Sequence, residues 1–169
     1  MLDTAALNYR QAINKHLIRG RSIRGIAAAS IYMACRQCNI IRTLEEVTKE
    51  VHISKKEMGR NYRFLLRVLR TKVPTADPQR YVSRFVNQFG LSGDTEIIAL
   101  KIIEQATEMK ITIGRGPAGI AAAATYLASF LMNERRTQGE IAKGANVTEV
   151  TIRNRYKELS KRLLFRVLI

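Results

Sequence analysis

The chain reads GRSIRGIAAA at residues 20–29 and GRGPAGIAAA at residues 114–123. The match between the two copies holds without a gap from residues 20–69 to residues 114–163, an offset of 94, and 17 of the 50 aligned pairs are identical. Unrelated segments do not align over this length without an insertion. The chain therefore contains two copies of one structural unit.

Each copy is predicted to be built from α-helices. Alanine-rich runs have high helix propensity, and Pro117 suits the first turn of a helix. Thr43, Ser54 and Thr137 are each followed three residues later by glutamate, which predicts three capping boxes. No window alternates apolar and polar residues as a strand would. We expect an all-α fold with helices at roughly 3–18, 22–37, 43–50 and 54–70, then at roughly 78–89, 94–110, 117–132, 137–144 and 148–163.

The boundary between the copies lies near residues 72–78, where Pro74 and Pro78 interrupt the helical pattern. This predicts domains at 1–74 and 75–169. The counterpart of the helix at 78–89 would precede Met1, so the first repeat is expected to lack its opening helix. The chain is then either a fragment or a form in which that helix is supplied from elsewhere or dispensed with.

The charge balance predicts a polyanionic partner. The 169 residues include 29 lysines and arginines against 14 acidic residues, which gives a net charge of +15. Residues 1–74 carry +10 and residues 75–169 carry +5. Such an excess favours a nucleic acid, although solubility or adaptation of the cell to salt or heat would also account for it. A hydrophobic fraction of 46% is enough for a folded core.

The end of the second repeat, residues 137–163, is typical of a helix-turn-helix. Asn146 stands at the turn, where asparagine tolerates a positive φ, and Thr148 is placed to cap the second helix. An apolar stripe recurs at helical spacing in Ile152, Tyr156, Leu159 and Leu163. The opposite face presents Val150, Arg153, Asn154, Lys157 and Lys161. These side chains suit base edges, a thymine methyl group and phosphates, and a solvated basic face is the alternative.

The first repeat ends in an equivalent helix pair with a different outward face. Its buried stripe is formed by Met58, Tyr62, Leu65 and Leu69. Its outward positions are Lys56, Gly59, Arg60, Arg63 and Arg67. Gly59 takes the place of Arg153, and glycine has no side chain with which to read a base. This face is therefore expected to contact phosphates or an acidic protein surface.

Other classes of function find little support in the sequence. The longest apolar stretch, residues 120–132, is too short to span a bilayer. Cys35 and Cys38 are expected to be buried thiols in a reducing, intracellular setting. A zinc site would need two further ligands, and only His16 and His52 exist, so no cofactor is expected. The glycine-rich loop of the second repeat lacks the lysine of a phosphate loop. We expect that the protein is not an enzyme.

At these residues the chain resembles archaeal transcription factor B and its eukaryotic counterpart, factor IIB. The resemblance covers nearly the whole chain and rests on the paired segments that begin at Gly20 and Gly114. It also rests on the stretches ISKKEMGR at 53–60 and VTEVTIRNRYKEL at 147–159. It implies two tandem cyclin-like repeats that bind promoter DNA together with TATA-binding protein. The alternative is a cyclin-like adaptor that binds proteins and has no role on DNA.

The resemblance also implies roles for particular residues. Val150 and Arg153 fall on the positions that read an element upstream of the TATA box, and Gly20 and Arg21 match a loop that meets DNA downstream of it. The DNA-binding candidates are Gly20, Arg21, Thr148, Val150, Thr151, Arg153, Asn154 and Lys157. The candidates for contact with TATA-binding protein or with phosphate are Lys55, Lys56, Arg60 and Arg63.

One part of the family pattern is missing from the sequence. Family members carry an amino-terminal zinc ribbon and a linker that enter RNA polymerase, and neither is found here. Contact with RNA polymerase is therefore expected to be weak or indirect. We expect a monomer without a membrane partner, in the archaeal cytoplasm beside the nucleoid, or in the nucleus of a eukaryotic cell.

Overall fold

In the computed structural model, which describes residues 1–14, 18, 20–74 and 76–163, the chain forms two compact units, Met1–Ala76 and Asp77–Ile169. The described residues form α-helices and no strand, so the expected all-α class is confirmed. The helices of the first unit are α1 (Leu2–Asn14), α2 (Ile23–Gln37), α3 (Leu44–Val51) and α4 (Lys55–Leu69). Those of the second are α5 (Gln79–Phe89), α6 (Gly93–Glu108), α7 (Pro117–Leu131), α8 (Gln138–Ala145) and α9 (Glu149–Arg162).

The helix bounds agree with the predicted ones to within two residues, except in α1. Its bounds are Leu2–Asn14, and residues 15–17 of its predicted extent lie outside the described part of the chain. Several helices begin one residue late because the first predicted residue, such as Ser22 or Thr43, is an N-cap with extended backbone. Helix α1 is the counterpart of α6, and the described part of the first unit contains no counterpart of α5.

The first unit is built around α2, which packs against α1, α3 and α4. Its alanines at 28 and 29 are almost completely buried, and their small side chains let the neighbouring helices approach closely. Ile26, Met33, Met58 and Leu65 fill the space between the helices and are fully buried. Each such side chain contributes about 1.5–3 kcal/mol when it leaves water.

The second unit repeats this arrangement around α7, which packs against α5, α6, α8 and α9. The four alanines at 121–124 are all fully buried. Phe85, Ile120, Ile152 and Leu159 supply the larger core side chains, each at most 1% exposed. The Ala-rich runs therefore mark the central helix of each repeat.

Two of the three predicted capping boxes are present. Thr43 and Thr137 each accept a hydrogen bond from the backbone N–H of the glutamate three residues on, and each glutamate accepts one in return. The third box is wrong. The Ser54 hydroxyl accepts from the Glu57 N–H at 3.1 Å, but Glu57 Oε1 accepts from the Ser22 hydroxyl at 2.8 Å instead. Packing of α4 against the start of α2 brings this competing donor within reach.

Equivalent side chains make equivalent contacts in the two units. Tyr32 and Tyr62 form an edge-to-face pair with ring centroids 4.9 Å apart. Tyr126 and Tyr156, at the aligned positions, form the same kind of pair at 5.3 Å. Each pair joins the central helix to the last helix of its repeat, so the two repeats present their last helix in the same way.

Candidate nucleic-acid interface

The helix-turn-helix of the second unit consists of α8, the turn at residues 146–148 and α9. Asn146 ends α8 with a left-handed backbone at φ 52°, which asparagine adopts more readily than most residues. The Val147 N–H donates to the Ala142 carbonyl at 3.0 Å, and the Thr148 hydroxyl accepts from the Thr151 N–H at 3.2 Å. The predicted turn and cap are confirmed, and together they set where α9 begins.

The outward face of α9 is exposed along its length. Val150 is 60% exposed, and Arg153, Asn154, Lys157 and Lys161 are exposed as well. Within the described residues, none of the three cations on this face is paired with a carboxylate. Their donors, the Asn154 amide and the Val150 methyl groups are therefore available to a partner.

Thr148 and Thr151, which the sequence also offers as DNA contacts, lie at the start of α9 and are engaged with each other. Their hydroxyl oxygens are 2.8 Å apart. A Cβ placed on Gly119 would lie 3.0 Å from the Thr151 methyl carbon, so Thr151 also packs on the first turn of α7. Both side chains therefore position the helix.

The opposite face of α9 holds the helix to the core. Ile152 and Leu159 are fully buried and Leu163 is 7% exposed. Tyr156 is half-buried, in the aromatic pair with Tyr126. Because these contacts fix the rotation of α9 about its axis, Arg153 and its neighbours face outward whether or not a partner is present.

An ion-pair network flanks the outward face of α9. The Glu158 carboxylate lies 3.1 Å from the guanidinium of Arg115, which is in the loop before α7. Its other oxygen pairs with Arg155, one turn earlier on α9. The Glu158 side chain is 18% exposed and that of Arg115 is 44% exposed. The loop is thus joined to α9 through a carboxylate that two arginines share.

The first unit carries a basic cleft between α4 and the loop before α2. Its volume is about 530 Å³. We call it the arginine cleft, after the four arginines that line it together with polar and aromatic side chains. The lining residues are Gly20, Arg21, Ser22, Glu57, Arg60, Asn61, Arg63, Phe64 and Arg67. The structure thus brings the candidates Gly20 and Arg21 together with Arg60 and Arg63, which lie about 40 residues away in sequence.

Arg21 is held in the arginine cleft by uncharged partners. Its Nη1 donates to Asn61 Oδ1 at 3.0 Å, and its guanidinium lies 3.9 Å from the centre of the Phe64 ring. Gly20, just before it, has a left-handed backbone at φ 76°, which glycine adopts without strain. Neither partner carries a negative charge, and the one carboxylate that lines the cleft, Glu57, accepts a hydrogen bond from Ser22. Within the described residues Arg21 therefore has no ion-pair partner.

Gly59 leaves room for a neighbouring arginine. A Cβ on Gly59 would lie 3.4 Å from Nη1 of Arg63, so the Arg63 guanidinium reaches back over the glycine along α4. Arg60, Arg63 and Lys56 are all exposed. At the position where α9 projects Arg153, α4 thus presents backbone covered by a cation from the next turn.

Lys55 and Lys56 differ in their surroundings although they are adjacent. Lys55 Nζ forms an ion pair with Glu45 Oε1 of α3 at 2.5 Å, and the two side chains are 67% and 32% exposed. A surface pair of this kind contributes about 0–1 kcal/mol. Lys56 is exposed, and no carboxylate in the described residues pairs with it. Lys56 is therefore the freer cation of the two candidates.

Three residues of these surfaces were not predicted from the sequence: Asn61, Phe64 and Glu158. Asn61 is 3% exposed, and its amide nitrogen has no hydrogen-bond partner within the described residues. A Cβ on Gly25 would lie only 2.4 Å from that nitrogen, so a glycine is needed where α2 and α4 meet. The repeat alignment did hold a signal, since it pairs Phe64 with Glu158 and so marks a change of charge beside the outward faces.

The two cysteines do not behave alike. Cys35 is buried as expected, and burial raises the pKa of its thiol. The expectation for Cys38 is wrong, because it is the exposed C-cap of α2, beyond the last buried turn. No cluster of three or more potential metal ligands occurs in the described residues, and His16 lies outside them. None of the described helices is long and apolar enough to cross a membrane.

Comparison with known proteins identifies relatives for the whole chain. A model of the family described as "Transcription factor TFIIB repeat" matches twice, at residues 1–68 and 71–162. The chain is 52% identical over 167 residues to a protein of Methanothrix thermoacetophila named "Transcription initiation factor IIB". Proteins of the same name from Archaeoglobus fulgidus and Sulfurisphaera tokodaii are 51% and 52% identical over 167 and 165 residues.

These alignments cover unequal parts of the two partners. They include 99%, 99% and 98% of this chain but only 50%, 51% and 54% of the three relatives. The chain therefore spans about half the length of the curated relatives that it matches.

Proposed function

The chain belongs to the transcription factor TFIIB repeat family, and from this premise we propose that it binds promoter DNA in complex with TATA-binding protein. In this proposal the second repeat reads the element upstream of the TATA box with α9. The observation that carries the proposal is the exposed, unpaired outward face of α9, which the buried face holds in a fixed direction.

The side chains on that face have the chemistry to distinguish bases in the major groove. An arginine at position 153 can donate two hydrogen bonds to a guanine edge, and the Asn154 amide can donate to and accept from adenine. The methyl groups of Val150 suit contact with a thymine methyl group. Lys157 and Lys161 follow along the same face, where they would contact phosphates on either side of the groove.

The first repeat is proposed to hold the DNA backbone and TATA-binding protein. The arginine cleft offers four guanidinium groups, and Arg21 is preset by Asn61 and Phe64. Guanidinium groups match the geometry of phosphate oxygens. Their contacts with phosphate contribute binding energy that does not depend on the base sequence. Lys56, Lys55, Arg60 and Arg63 extend the same basic surface, which also suits an acidic patch on TATA-binding protein.

The proposal is tested by measuring binding of the full chain to fluorescent TATA-containing duplexes by anisotropy. Four conditions are needed: with and without TATA-binding protein, each at about 50 and 200 mM salt. We expect stable binding only when TATA-binding protein is present, a steep loss with salt, and tighter binding to duplexes that carry the upstream element. Equal affinity with and without TATA-binding protein would overturn the proposal.

The same experiment addresses the adaptor alternative. A protein adaptor would show no salt-dependent binding to any duplex, with or without TATA-binding protein. Scrambling the TATA box and the upstream element separately then tells which repeat is responsible for each part of the preference. We expect that scrambling only the bases that face α9 is enough to abolish the preference for the upstream element.

A further inference from the structure

The loop before the central helix carries an arginine at the same place in both repeats, Arg21 and Arg115. The residue that meets this arginine is also at an equivalent place on the last helix, where it is partly buried in both repeats. In the first repeat it is Phe64, with the guanidinium of Arg21 3.9 Å from its ring centre. In the second it is Glu158, 3.1 Å from the guanidinium of Arg115.

Phe64 and Glu158 differ in whether they neutralise the charge of the loop arginine. Phe64 and Asn61 are neutral, and no carboxylate in the described residues pairs with Arg21, so its positive charge remains available to an incoming anion. Glu158 is an anion already bound to Arg115, and Arg155 occupies its other oxygen. A DNA phosphate would have to compete with this carboxylate for the donors of Arg115.

The place of Glu158 on α9 makes this competition relevant to DNA. Glu158 follows Lys157 directly and lies one turn beyond Asn154, so it borders the outward face that would enter the groove. The phosphates of the two strands flank a helix that lies in the major groove. An unpaired Arg115 at this edge would therefore be close to a phosphate.

We propose that Phe64 and Glu158 decide which repeat offers its loop arginine to DNA phosphate: Phe64 leaves Arg21 available, and Glu158 withholds Arg115. Glu158 is thereby a positioning residue that ties the loop of the second repeat to α9 and removes one sequence-independent contact from the reading repeat. This inference rests on the proposed function, because it assumes that α9 faces DNA.

Substitutions at the two equivalent positions test it in opposite directions. Glu158→Gln keeps the shape of the side chain but removes the charge that pairs with Arg115 and Arg155, of which Arg115 is the more exposed, at 44% against 19%. Each phosphate contact adds about 0.9 to the slope of log affinity against log salt. We expect the slope to steepen by about that amount, with binding to every duplex about threefold to tenfold tighter near 0.1 M salt. Phe64→Glu should neutralise Arg21 and make the slope shallower by a similar amount.

Each variant has a control of equal charge. Glu104→Gln removes one exposed carboxylate from α6, and Gln11→Glu adds one to exposed surface on α1. Neither residue meets a loop arginine in the contacts described, so both controls should change the slope by much less than the test variants. Far-ultraviolet circular dichroism and thermal unfolding would establish that each variant is folded. Because Phe64 packs against the core, Glu158→Gln decides the matter if Phe64→Glu does not fold, and Phe64→Glu decides it in the reverse case.

The outcomes separate the inference from the function on which it rests. If the unsubstituted chain fails to bind DNA with TATA-binding protein, the proposed function is wrong. If that chain binds but Glu158→Gln steepens the slope no more than Glu104→Gln, Glu158 has a structural role only and the inference is wrong. Opposite changes in slope for Glu158→Gln and Phe64→Glu, beyond their controls, would establish it.

Discussion

Helices α4 and α9 occupy equivalent places in the two repeats, and they agree where they touch the core and differ where they face outward. Leu65 and Leu159 are both fully buried against the central helix. On the outside, Gly59 stands in the position of Arg153, and the cation Lys56 stands in the position of Val150. The two repeats therefore keep a common core and differ in the side chains that the core does not use, and the proposed function assigns them different tasks on that basis.

The largest expected effect comes from removing the buried leucine that the two helices have in common. Leu65→Ala and Leu159→Ala should each lower the free energy of unfolding by about 2–5 kcal/mol, because each leaves a cavity at a fully buried site. Urea denaturation followed by circular dichroism measures the loss. Leu7→Ala, at a residue 55% exposed on α1, should stay within about 0.5 kcal/mol. A loss below about 1 kcal/mol for one leucine alone would mean that the two cores are not equivalent.

The next largest effect concerns Arg153, which α4 replaces by Gly59. Arg153→Ala should weaken binding by about 1–3 kcal/mol on a promoter that carries the upstream element, because a bidentate contact with guanine is lost. On a promoter without the element the loss should be much smaller. Titrations of both promoters at matched salt, with TATA-binding protein present, provide the measurement.

Lys157→Ala is the matched control on the same face of α9. It should weaken binding to both promoters by the same factor. It should also reduce the slope of log affinity against log salt by about one unit, as expected for a phosphate contact. Equal losses on both promoters for Arg153→Ala as well would show that Arg153 also holds a phosphate, and α9 would then resemble α4 more closely than we propose.

A smaller effect concerns the two adjacent lysines of α4. Reversing the charge of both Lys55 and Lys56 should weaken the complex on every promoter, with no change in sequence preference. As single substitutions, Lys56→Ala should reduce binding affinity more than Lys55→Ala, because Lys55 already forms an ion pair with Glu45. The single losses are expected to be below about 1 kcal/mol each, in line with exposed charges. A changed base preference in either variant would contradict a role limited to phosphate or protein contact.

The smallest expected effect is a pH dependence in the second repeat. Hydrogen bonds from Ser92, and then from the Thr95 hydroxyl, lower the pKa of Glu134 below its usual value of 4.5. A carboxyl whose pKa is lower when folded stabilises the fold above its unfolded pKa, and this contribution is lost as the pH falls through the folded value. The stability of the protein should therefore decline below about pH 4.5, and less so in Glu134→Gln. Equal acid sensitivity in both proteins would remove Glu134 as a cause.

The helices, the duplication and the direction of the outward faces could all be predicted from the sequence. These follow from patterns within a short stretch of chain, such as the apolar stripe through Ile152 and Leu159 or the capping threonines 43 and 137. A helical period of 3.6 residues places neighbours on the same face whatever else the chain does. Arg153 and Lys157 could therefore be assigned to an exposed face before any tertiary contact was known.

The contacts of the charged side chains, by contrast, depend on how the helices pack. Arg21 reaches Asn61 across 40 residues of chain, and Arg115 reaches Glu158 across 43. Glu57 leaves its predicted cap for Ser22, 35 residues away. Such contacts depend on which helices pack together and on how far each is shifted along its axis relative to the other. Helical periodicity carries no information about either. The loop arginine is therefore without an ion pair in the first repeat and paired in the second. The reason is that α4 places Phe64 beside it and α9 places Glu158 there.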